Sequence, residues 1–89
     1  MQLIVLDSFD LHCRKIAVVD VPHEWITSYP NEKCKYIQPD SEVDCYGEQL
    51  KVKDVSLFSV GTISRSMRGV AIEFDRLLPR DTVFEVKYD

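Results

Sequence analysis

Val70-Ala71-Ile72-Glu73-Phe74-Asp75 alternates with a period of two, setting Val70, Ile72 and Phe74 on one face of an extended segment. A helix would need its apolar side chains three and four positions apart. The same alternation returns in Thr82 to Tyr88, where Phe84, Val86 and Tyr88 stand opposite Val83, Glu85 and Lys87. Leu77-Leu78-Pro79-Arg80-Asp81 joins these two strands. Leu50-Lys51-Val52-Lys53 repeats the pattern, with Leu50 and Val52 inward and both lysines outward.

Working toward the N-terminus, Lys15 to Val21 is short and rich in β-branched residues, as strands are. Leu3 to Leu6 is a continuous apolar run, which predicts a strand covered on both faces. Between them Ser8 to Arg14 is polar enough to turn, with Phe9 and Leu11 as anchors. Cys34 to Ile37 and Val43 to Tyr46 are further short strands. Pro22 ends the second strand and suits the first position of a helix, so Pro22 to Tyr29 reads as about two helical turns closed by Pro30. Val55 to Met67 is ambiguous: strand through Val60 is favoured, and helical spacing of Leu57, Val60, Ser64 and Met67 is the alternative. The expectation is one α+β domain over residues 1–89, a small, mostly antiparallel β-sheet or barrel-like body with one short helix.

The chain has 89 residues, 45% hydrophobic and 29% charged, which suits a domain that folds on its own core. Its formal charge of −4 gives no broad attraction for nucleic-acid phosphates. No apolar run approaches the roughly 20 residues of a spanning helix, and the start lacks the basic and apolar regions of a secretory signal. Cys13, Cys34 and Cys45 are odd in number, so reduced thiols in a cytoplasmic setting are expected, with no membrane partner.

Motifs for chemistry are few. The cysteines stand far apart with no Cys-x-x-Cys, and His12 beside Cys13 points the opposite way on an extended chain, so no metal site is expected. A nucleophilic cysteine served by His12 or His23 lacks any local signature. Asp40-Ser41-Glu42-Val43-Asp44 resembles the start of a calcium loop, but Cys45 and Lys51 occupy the places that need Gly and Glu. No phosphate-cradling glycine motif occurs, and no cofactor is expected.

The most distinctive local feature is Ser64-Arg65-Ser66-Met67-Arg68-Gly69, two arginines flanking a methionine in an acidic chain. Arginine offers a planar donor fork and methionine adapts to irregular apolar surfaces, so Arg65, Met67 and Arg68 are candidate partner-binding residues. Trp25 and Tyr29 stand four apart, share one face of the expected helix, and either fill the core or form a second binding surface. The function expected is a non-catalytic protein-binding module, such as an adaptor, inhibitor or accessory subunit, with another protein or self-association as partner. A nucleic-acid module using Arg65, Arg68 and Arg80 is the first alternative, and a small cysteine- or carboxylate-dependent enzyme the second.

Overall fold

A computed structural model describes residues 1–27, 33–58 and 67–87. Their regular structure is antiparallel strand throughout, apart from a single 3₁₀ turn. In chain order the elements are β1 (Gln2–Leu11), β2 (Arg14–Pro22), the 3₁₀ turn His23–Trp25, β3 (Ile26–Thr27), β4 (Lys33–Cys34), β5 (Glu42–Cys45), β6 (Glu48–Lys51), β7 (Asp54–Phe58), β8 (Met67–Phe74) and β9 (Val83–Glu85). Seven strands form one sheet in the order β6-β5-β9-β1-β2-β8-β7, while β3 and β4 pair separately.

The two ends of that sheet, β6 and β7, are consecutive in the chain, with only Val52 and Lys53 between them. Hydrogen bonding continues through this corner. The Val52 N–H donates to the Ser41 carbonyl and the Asp40 N–H to the Val52 carbonyl, both at 2.8 Å. The next residue turns to β8, its Lys53 N–H meeting the Glu73 carbonyl at 2.8 Å. β6 and β7 are therefore halves of one bent strand, and the sheet closes into a small barrel. β1 bends in the same manner. Gln2–Ile4 pair with β9, and Val5–Leu11 pair with β2 through a register shift between Val5 and Asp7. Such bulges let one strand serve both sides of a corner.

The barrel is filled by the alternating residues that the sequence marks as inward. Val70, Ile72 and Phe74 meet Phe84, Val86, Leu50 and Val52 in a continuous core. Phe74 and Phe84 face each other edge-on, 6.0 Å between centroids and 74° between planes.

Several expectations are corrected here. The α+β assignment fails because the described part of the expected helix, residues 22–27, is not helical beyond a single turn: Pro22 is extended (φ −56°, ψ 137°), one 3₁₀ turn follows, and Ile26 is extended again (φ −95°, ψ 122°). A two-turn helix between prolines has too few internal hydrogen bonds to offset nucleation, and β-branched Ile26 and Thr27 gain more by pairing with Cys34 and Lys33. β1 is covered on one face, with Leu3 and Val5 buried while Ile4 is 50% exposed. Ser8–Leu11 belongs to β1 and does not turn, and Phe9 and Leu11 lie exposed on the outside of the barrel. The actual turn is only His12-Cys13, both at positive φ (52° and 68°). A two-residue hairpin of that hand favours Asn-Gly. Replacing His12-Cys13 by Asn-Gly should raise the unfolding free energy by about 1 kcal/mol, read as a higher urea midpoint at unchanged slope.

Candidate functional site

β7 gains its strand character from Val55 and Leu57, which alternate with Asp54 and Ser56 and sit opposite Ile72 and Val70 of β8. Both therefore point to the core side, yet they remain only partly buried. Successive residues of an antiparallel strand direct their main-chain groups to opposite sides. The Val55 N–H bonds the Asp54 carboxylate at 2.9 Å rather than β8. Val55 and, two residues on, Leu57 thus present their backbone to the outer edge of β7. Among the described residues, no backbone partner bonds this edge between Val55 and Leu57.

Facing that edge is the stretch from Lys33 to Pro39, held by the β3–β4 hairpin. The Lys35 N–H donates to the Trp25 carbonyl at 2.7 Å, and the Trp25 ring meets Tyr36 edge-on at 4.8 Å. This seats Cys34 and Ile37 as fully buried side chains. The Gln38 N–H then donates to the Ser41 hydroxyl at 3.0 Å, turning the chain into β5. A cavity of about 340 Å³ remains between this stretch and β7. Cys34, Ile37, Pro39, Val55 and Leu57 line it, with exposed Lys33 and Gln38 at its mouth. That volume lies at the lower end of ligand-binding cavities and suits one large apolar side chain.

Burial pushes the Cys34 thiol above its ordinary pKa, against the opposing pull of the Ile37 and Tyr36 amides beside the sulfur. At neutral pH it is protonated, so in this cavity it serves as soft apolar surface. Burial also raises the Cys45 thiol, helped by the Glu48 carboxylate, while Cys13 is exposed in the first hairpin turn. All three cysteines are free. Among the described residues, no three His, Cys, Asp or Glu side chains gather as metal ligands would.

The residues singled out from sequence fall as follows. Trp25 is buried, at 3% exposure, as part of the core. Met67 and Arg68 open β8, opposite Pro22 and Val21 of β2. With Phe58 opposite Gly69, this places them at the same end of the barrel as the 3₁₀ turn and the close of β7. Tyr29 and Arg65 lie outside the described residues, as does the stretch from Ser59 to Ser66. Arg80 is held elsewhere, pairing with Asp7 at 3.7 Å and donating to the Leu6 carbonyl at 3.1 Å. Comparison with family models, curated proteins and solved structures finds no match. No helix among the described residues is long and apolar enough to cross a membrane.

Sequence reading missed the pairing of the Cys34–Pro39 stretch with Val55 and Leu57. Each half carried a signal, since Cys34–Ile37 reads as apolar and extended and Val55/Leu57 alternate. Their juxtaposition follows from the closure of the barrel, which no local pattern encodes.

Proposed function

We propose that this protein is a non-catalytic binding module that takes an extended segment of another protein along the outer edge of β7. The observation that carries this reading is the apolar cavity opening directly beside a strand edge whose outward backbone groups, at Val55 and Leu57, are bonded by no neighbouring strand among the described residues. Strand addition needs those two parts: main-chain groups for affinity and a cavity that accepts alternate side chains for selectivity. A second edge, the far half of β1, is less suitable. There the Arg80 side chain donates to the Leu6 carbonyl and pairs with Asp7, so a charged side chain lies across it. A cytoplasmic setting would keep the three thiols free, as the cavity requires of Cys34.

Seven-residue capped peptides with a central Leu, Ile or Phe test this by amide chemical-shift mapping. Binding should move Val55, Leu57 and the amides from Lys33 to Gln38. N-methylation of the peptide at alternate positions should abolish it, and Leu57→Lys should weaken it about tenfold or more. Shifts confined to other strands, or equal binding of the methylated peptide, would overturn the reading.

A further inference from the structure

Resting on strand addition at β7, we infer that the segment it takes is acidic, with Asp or Glu flanking the apolar side chain that enters the cavity. The chain carries 15 acidic side chains against 11 basic ones, so a basic side chain here readily finds a carboxylate. Arg14, Arg76 and Arg80 each do so, as do Lys15 with Asp10 and Lys51 with Asp40. Lys33, Lys35, Lys53 and Lys87 do not, among the described residues, and all four are exposed. Lys87 lies beyond β9, and the other three belong to the segments that flank the cavity. Lys33 stands at the cavity mouth, Lys35 follows it past β4, and Lys53 leads into β7 two residues before Val55.

Two acidic groups of the adjoining segments are already engaged. Asp54 holds Arg14 at 3.2 Å and the Val55 N–H, and Asp40 meets Lys51 at 3.5 Å. The cavity thus has one unpaired lysine, Lys33, at its mouth and two more, Lys35 and Lys53, in the adjoining segments of an acidic protein. Such charge complementarity sets partner choice and association rate more than affinity, which the apolar anchor and the main-chain ladder supply. A neutral or basic segment would leave three ammonium groups without counter-charge, or repel them.

Three capped peptides sharing one anchor, with flanking Glu, Gln or Lys, separate this inference from the reading beneath it. At low salt the Glu peptide should bind about tenfold tighter than the Gln peptide, and the Lys peptide weakest. That advantage should vanish at about 0.5 M salt and in the Lys33→Gln/Lys35→Gln/Lys53→Gln variant, which should bind the Glu and Gln peptides equally. Equal binding of Glu and Gln peptides at β7 would overturn the acidic inference alone. So would stronger displacement of the same amides by a single-stranded oligonucleotide, which would assign the lysines to phosphate. Silence of Val55 and Leu57 with every peptide, or concentration-dependent shifts there without peptide, would overturn strand addition itself, the latter assigning the edge to a second copy.

Discussion

Phe74→Ala should lower the unfolding free energy by about 3–5 kcal/mol, the range for emptying a well-packed aromatic site. Phe74 and Phe84 are each 1% exposed and come from β8 and β9, which are not neighbours in the sheet. Their edge-to-face contact therefore spans the barrel interior, and no adjacent strand can close over the space that alanine would leave. A domain of this size commands about 5–15 kcal/mol in all, so the variant should be partly unfolded or close to it at 37 °C. A double-mutant cycle with Phe84→Leu should return a coupling of about 0.5–1.5 kcal/mol, the excess of an aromatic pair over its buried area. Phe9→Ser, on the outside of the same barrel, should change stability by less than about 0.5 kcal/mol. Urea titrations of the parent and these variants check this. Equal losses for Phe74 and Phe9 would mean that the inward and outward faces of the strands are assigned wrongly.

That contrast also measures how far the sequence could be read. Val70–Asp75, Leu50–Lys53 and Thr82–Tyr88 alternate because one face meets the core and the other water, and Val70, Ile72, Phe74, Leu50, Val52, Phe84 and Val86 are buried, while Tyr88 lies outside the described residues. Leu3–Leu6 defeats the same rule. Its apolar run suggests two covered faces, yet the strand sits on the barrel wall with Ile4 outside. Ser8–Leu11 fails in the opposite sense, since polar residues on a well-paired strand look like a turn. What decides there is the long antiparallel register with β2, from Val5↔Val19 to Leu11↔Arg14. The Pro22–Tyr29 helix is a local preference overridden by pairing: Ile26 and Thr27 find partners in β4 that a short isolated helix could not match.

The candidate site was less legible than the fold, for a physical reason. Arginine, methionine and tryptophan draw attention because they dominate interfaces, so Arg65, Met67, Arg68, Trp25 and Tyr29 stood out. Strand addition uses the backbone, whose hydrogen-bonding groups are the same at every residue and leave no mark on composition. Lys33, Lys35 and Lys53 are ordinary surface lysines by sequence. Their lack of carboxylate partners appears only once the strands are assembled and the neighbouring acids are seen to be occupied.

Trp25→Ala tests whether that residue belongs to the core or to a binding face, and it too should cost about 3–5 kcal/mol. The ring is buried at 3% exposure, packs edge-on against Tyr36, and comes from the turn whose carbonyl holds Lys35. Removing it takes away the floor on which Cys34 and Ile37 are seated, so the cavity wall should loosen together with the global fold. Because Trp25 is the single tryptophan, circular dichroism must replace fluorescence as the unfolding probe. In native buffer the Cys34 thiol should react faster with an aromatic disulfide reagent than in the parent, since it loses the cover that keeps it apolar and protonated. Trp25→Phe keeps a ring against Tyr36 and should lose markedly less stability and less protection of Cys34. If Trp25→Ala instead kept its stability within about 0.5 kcal/mol and lost only peptide binding, the ring would be an interface anchor, and the cavity beside β7 would stand without its support.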